Sequence, residues 1–235
     1  MALPKLNTPT YELELPSTGE TIKYRPFLIK EQKLLLIAQE SNTEKDIARA
    51  MGTLVSECTF KKVNAKINPM FDIEYVFLKI RSKSVGESVE LNLTCPDDEV
   101  TKVKHTVAID NIDINIKKDH SKEVQLTDDI KLTFRYPVMS DLINMGADTG
   151  ETEQIFHLLS SCIETIESGD DVHQRSDITK KEIEEFIDSF SNEQFEKVTS
   201  FFDTMPKLRH VIEVTNPKTS VKSEITLEGL ESFLG

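Results

Sequence analysis

Polar and apolar positions alternate over Tyr11-Glu12-Leu13-Glu14-Leu15 and again over Thr21–Tyr24, with Pro16–Gly19 between them. A period of two marks half-buried strands, and the Pro/Gly turn predicts an opening hairpin. Pro26 has no N–H to donate and ends the ladder. Residues 29–40 read as a helix with apolar residues around much of its circumference (Leu34, Leu35, Leu36, Ile37), so it is expected to be largely buried. Ser41 and Glu44 have capping-box spacing, and the helix to Cys58 carries Ile47, Ala50, Met51, Leu54 and Cys58 on one stripe. Asn68-Pro69 predicts a capped helix over 70–84, with Lys79, Arg81 and Lys83 on its last turns and Gly86 after it.

Alternation then returns. Val89–Leu93, a Cys95–Asp98 turn, Val100–Ile109, Ile112–Ile116, Val124–Leu126 and Ile130–Phe134 predict a β-rich middle unit at about 88–136. A short helix over Ser140–Met145 leads to Gly146 and a polar linker. Residues 151–168 repeat apolar positions at helical spacing, and 169–175 form a polar loop. Thr179 with Glu182 and Ser191 with Gln194 are successive capping boxes for helices at 180–190 and 192–204. A closing hairpin, Leu208–Val214 with Val221–Thr226, turns at Asn216–Thr219, and a short apolar ending follows. Strands ending in Thr94-Cys95-Pro96 and Thr215-Asn216-Pro217 resemble each other and the hairpin at Pro16, which suggests a weak architectural repeat.

The expected fold is α+β: small antiparallel hairpins packed with helices, plus an acidic helical subdomain. Residues 1–146 form the mixed scaffold, 147–205 an acidic three-helix subdomain, and 206–235 a C-terminal hairpin and short helix packing on the scaffold.

Charge sharpens the picture. Of a net −13, residues 148–205 contribute 15 acidic against 4 basic side chains. Such a chain repels phosphate backbones and anionic lipid, so neither nucleic acid nor a membrane surface is an expected partner. A solvated helix face explains the acidic segment; a docking face for a basic partner is the alternative. No run of 18 apolar residues is present, and the opening residues lack a secretory pattern. Three scattered cysteines make no disulfide framework or zinc knuckle.

Candidate chemistry is sparse. There is no phosphate-binding loop, no nucleophile elbow and no H-E-x-x-H. Cys95 with His105 is the one nucleophile–base pairing to weigh, and it lacks an orienting third group. His173 near Asp170, Asp171 and Asp177 matches no metal-loop pattern. The expectation is a non-enzyme with no catalytic, cofactor-binding or metal residues and no cofactor.

Several stretches resemble the baseplate hub assembly proteins of T-even-type contractile-tailed bacteriophages. They are Phe71-Asp72-Ile73-Glu74-Tyr75-Val76-Phe77-Leu78-Lys79-Ile80-Arg81-Ser82-Lys83-Ser84-Val85-Gly86-Glu87, then Cys95-Pro96; Leu13–Gly19 with Tyr24-Arg25-Pro26-Phe27; and Asn216-Pro217-Lys218-Thr219. The resemblance implies a late phage protein acting in the host cytoplasm, as an assembly factor or as a hub subunit of the virion. Its partners would be other baseplate hub proteins, in a homo- or hetero-oligomer. Some members of that family carry a cysteine pair in the middle hairpin; here Cys95 stands alone and Asp98 takes the second position. Lys79, Arg81, Lys83, Asn216 and Pro217 are the candidate partner-binding residues, the first three having helix-dipole complementation as their plainer role. A different non-enzymatic phage or cytoplasmic adaptor is the next reading, ahead of an enzyme with an unrecognised site.

Overall fold

The computed structural model describes residues 6–41, 43–144 and 150–233. In chain order the elements are β1 (Tyr11–Glu14), β2 (Thr21–Tyr24), α1 (Ile29–Glu40), α2 (Glu44–Cys58), α3 (Met70–Val85), β3 (Ser88–Thr94), β4 (Lys102–Ala108), β5 (Asp113–Asn115), β6 (Glu123–Gln125), β7 (Ile130–Phe134), α4 (Met139–Asn144), α5 (Glu151–Cys162), β8 (Ile163–Ser168), β9 (Asp171–Gln174), α6 (Lys180–Asp188), α7 (Asn192–Thr204), β10 (Lys207–Thr215) and β11 (Lys222–Glu228). All strand pairs are antiparallel, and the class is α+β.

The chain forms two compact units, one of residues 1–115 with 207–235, the other of 116–206. The boundary therefore lies 31 residues before the expected one at 146. The reason is strand pairing. β5 joins β10, whereas β6 and β7 join β8 and β9. The expected middle β unit is thus divided among three sheets. Met145, Gly146 and the linker lie outside the described residues.

In unit 1, α3 is the central element. It buries Phe71, Ile73, Val76, Phe77, Leu78 and Ile80, a wider apolar face than a surface helix carries. Its N-cap is Pro69; Asn68, the expected cap, instead accepts the Asn64 N–H at 2.8 Å. Thr43 caps α2 by accepting the Asp46 N–H. The cap falls at Thr43 and not at Ser41 because Ser41 is already the C-cap of α1.

The three hairpins of unit 1 share one turn. Leu15, Cys95 and Asn216 each accept the N–H of the residue four positions on, at 2.8, 3.0 and 2.8 Å. That residue takes positive φ every time: Gly19 at 70°, Glu99 at 55° and Ser220 at 62°. Pro16, Pro96 and Pro217 follow the accepting residue, where a fixed φ favours the bend. Carboxylates hold two of the tips. Ser17 donates its N–H to Asp72 at 3.0 Å. Asp98 Oδ1 accepts the N–H groups of Val100 and Thr101, and Oδ2 accepts the Thr101 hydroxyl, which holds its carboxyl far below the usual range.

Unit 2 is a four-stranded sheet, β6-β7-β8-β9, carrying α5, α6 and α7. Its core joins Leu132, Phe134, Leu159, Ile163, Ile166, Ile183, Ile187, Val198 and Phe201. The expected helix over 151–168 ends at Cys162, and 163–168 is strand β8. Ile163, Thr165 and Ile166 are β-branched, and the open edge of β7 gives them a ladder; tertiary pairing overrides helical spacing. Most of the expected polar loop is β9, reached through a turn with Gly169 at φ 59°. Both capping boxes form: Thr179 N–H to Glu182 Oε2 at 2.8 Å, and Ser191 N–H to Gln194 Oε1 at 2.8 Å.

Candidate partner interface

Arg25 organises the start of unit 1. Its backbone N–H donates to the Cys58 carbonyl at 3.0 Å, tying β2 to the end of α2. Its Nη1 donates to the Pro26 carbonyl at 3.0 Å and its Nη2 to Glu31 at 2.9 Å. Glu31, in the first turn of α1, also accepts the Leu28 N–H at 2.7 Å. Burial raises the Glu31 carboxyl, but hydrogen bonds from Arg25, Leu28 and Lys30 outweigh it and leave it below the ordinary range. One guanidinium thus fixes α1 against α2.

Held this way, α1 turns only Glu31 and Ala38 fully inward. The expectation of a buried helix is corrected. Ile29 is 78% exposed, Leu36 52% and Ile37 53%, with Leu34 also exposed. Apolar residues circle α1, and one side of a helix is all that α2 and the loop before α1 can cover. Beside this face, Leu34, Ile37 and Ala38 of α1 and Asp46, Arg49, Ala50 and Thr53 of α2 line a shallow groove. Arg49 and Asp46 pair across 3.5 Å at its rim. An apolar floor with a polar rim can bury a partner's side chains.

The sequence candidates fall elsewhere. Lys79 Nζ lies 3.4–3.5 Å from the carbonyls of Ile109, Asp110 and Ile112 and 5.1 Å from the Tyr75 ring centroid. Burial lowers its pKa. Lys83 pairs with Glu87 and stands 3.9 Å from Asp110 Oδ2; the Glu87 hydrogen bond raises its pKa. Arg81 is half-buried on α3, and desolvation lowers its pKa. Asn216 is 1% exposed, its Nδ2 donating to both Asp97 oxygens at 3.0 and 3.1 Å. Its Oδ1 accepts the Lys218 N–H at 2.8 Å. Pro217 is exposed on the turn. Lys79 and Lys83 therefore brace residues 109–112, and Asn216 locks two hairpin tips together. No described hydrogen bond or ion pair joins the two groups. The α1 face was missed, although a helix apolar on every side (Leu34–Ile37) next to Lys30 and Lys33 was a readable signal.

The structure does not bring Cys95 and His105 together. Burial pushes the Cys58 thiol up to about 11 and the Cys162 thiol up to about 12, far from the thiolate form. Cys95 pairs with Thr101, whereas His105 lies opposite Leu91 further along the ladder. His173 is exposed on β9 opposite Ile166. Among the described residues, no three His, Cys, Asp or Glu are grouped to hold a metal, and no helix is long and apolar enough to cross a membrane.

Comparison with known proteins gives these surfaces a setting. The family described as T4 bacteriophage base plate protein matches residues 8–235. The baseplate hub assembly protein gp26 of Enterobacteria phage T4 is 22% identical over 227 residues, covering 95% of this chain and 97% of that protein. No solved structure matches. With all but the first seven residues matched, the chain belongs to the T4 bacteriophage base plate protein family.

Proposed function

We propose that the protein builds the central hub of a phage tail baseplate, by binding other baseplate proteins through the α1 face and the α1/α2 groove. It does so without a catalytic step and without a cofactor, in the host cytoplasm during tail assembly. The observation that carries this reading is the exposure of Ile29, Leu34, Leu36 and Ile37 on a helix anchored by a buried ion pair. A chain does not spend four large apolar residues on water beside so rigid a clamp unless something covers them. The likeness to a hub assembly protein supplies the setting. The net charge of −13 argues against nucleic acid as the target.

The test is capture of hub proteins by the purified full chain. Leu36→Asp with Ile37→Asp places two carboxylates in the face without touching the core. Folding should persist, since substitutions at exposed sites cost about 0.5 kcal/mol or less. Binding of hub proteins should fall by about a hundredfold, as expected where two apolar contact residues are lost. A double variant that captures hub proteins as the wild type does would refute the assignment.

A further inference from the structure

The two units open on the same plan. In unit 1, Arg25 follows β2 and donates its N–H to the carbonyl of a buried cysteine, Cys58, at 3.0 Å. Its Nη1 goes to the next residue's carbonyl, at 3.0 Å, and its Nη2 to the carboxylate of Glu31, six residues on. In unit 2, Arg135 follows β7 and donates its N–H to the carbonyl of buried Cys162 at 2.8 Å. Its Nη1 reaches the carbonyl of Tyr136, the next residue, at 3.1 Å, and its guanidinium grips Asp141, six residues on, at 2.8 and 2.9 Å. Glu31 accepts the Leu28 N–H at 2.7 Å; Asp141 accepts the Val138 N–H at 2.9 Å. Four matched contacts make Thr21–Tyr24 and Lys131–Phe134 equivalent strands.

The copies part at the cysteine. After Cys162 the chain runs on as β8, antiparallel along the edge of β7 that faces away from β6. After Cys58 it swings off through Phe60 and Lys61, at φ of 55° and 64°, and no described strand covers the matching edge of β2. The phase of that edge is fixed. Leu15 and Glu20 are hydrogen-bonded, so Leu13/Ile22 and Tyr11/Tyr24 are the bonded pairs of the hairpin. Thr21, Lys23 and Arg25 point their backbone groups the other way. Arg25 finds Cys58; Thr21 and Lys23 are exposed, and no described hydrogen bond uses their outward N–H and C=O groups.

We propose that the β2 edge is a strand-addition site, which takes an extended segment of another protein, antiparallel, in the place that β8 fills on β7. The chain's own β8 shows what fits: Ile163-Glu164-Thr165-Ile166, β-branched residues with a carboxylate between them. Phe60, two residues beyond Cys58, is 54% exposed. Lys23, 3.8 Å from Glu12 across the hairpin, discourages indiscriminate pairing at this edge. The inference rests on the recognition reading above and names the backbone groups that hold the partner.

The test uses the isotope-labelled full chain and a synthetic peptide copying residues 163–168, Ile-Glu-Thr-Ile-Glu-Ser, at millimolar concentration. The Thr21 and Lys23 amide signals should shift, and their hydrogen exchange should slow by about tenfold, while Ile22 and Tyr24 stay as they were. Lys23→Pro removes the outward N–H but none of the bonds to β1, and should abolish the response; Lys23→Ala should keep it. Unchanged Thr21 and Lys23 amides in the wild type, or an equal response from Lys23→Pro, would overturn strand addition. Capture of hub proteins is a separate measurement, so failure here and failure of the hub assignment are told apart.

Discussion

Phe201→Ala should cost about 3–5 kcal/mol, the usual range for removing a buried aromatic ring. Phe201 lies at the centre of unit 2, 1% exposed. Its ring centroid is 4.9 Å from Phe134, 5.9 Å from Tyr136, 5.3 Å from His120 and 5.0 Å from Phe202. It therefore joins the end of β7, the residue after Arg135, the loop before β6 and its own helix α7. Alanine leaves a hole that rigid neighbours cannot close. Tyr136 Oη and Thr204 Oγ1 both lie 3.0 Å from His120 ring nitrogens, so that imidazole is held in place and cannot collapse inward. Set against a domain stability of about 5–15 kcal/mol, the loss removes a large share of the total. Urea unfolding of the full chain should show a transition at much lower denaturant, with unit 2 melting first.

Arg25→Met should be nearly as damaging, at about 3 kcal/mol, because it leaves the Glu31 carboxylate buried without its main partner. The side chains of Arg25 and Glu31 are 11% and 5% exposed. Lys30 Nζ, 3.2 Å from Glu31, softens the blow and keeps the cost at the lower end. Adding Glu31→Met should recover most of it. Two apolar side chains satisfy each other, and the remaining deficit of about 1 kcal/mol is the lost cap on the Leu28 N–H. The cycle separates a clamp that stabilises from one that specifies geometry. The wild type also loses this contribution in acid. Glu31 titrates below its ordinary 4.5 when folded, so its share is present above that value and disappears as pH falls through the lowered one. Variants lacking Glu31 should show a shallower acid limb.

Local chemistry was legible in the sequence, and long-range partnership was not. The Thr179/Glu182 and Ser191/Gln194 caps were readable because every atom involved lies within one turn. Leu34–Ile37 read as helix for the same reason, yet burial of a helix depends on what packs against it. Residues 163–168 fit a helical stripe, and the open edge of β7, some thirty residues earlier in the chain, made them a strand. The domain boundary was misplaced because β5 waits for β10, far along the chain. Asn216 was recognisable as a turn residue; that Asp97 consumes its amide depends on a hairpin 119 positions away. The Arg25 and Arg135 clamps were hidden because Glu31 and Asp141 differ in side chain while doing the same work, and the cysteines closing them stand at different distances from each arginine.

The proposed surface by which the protein meets other baseplate proteins is α1. Lys30 and Lys33 flank its apolar face and carry reactive amines. Cross-linking mass spectrometry on tail assembly intermediates containing the full chain therefore reads contacts at α1. Lys30 and Lys33 should form cross-links to another baseplate protein, and these should vanish with Leu36→Asp and Ile37→Asp. Cross-links to partners arising only from unit 2, with Lys30 and Lys33 labelled by solvent alone, would contradict this assignment.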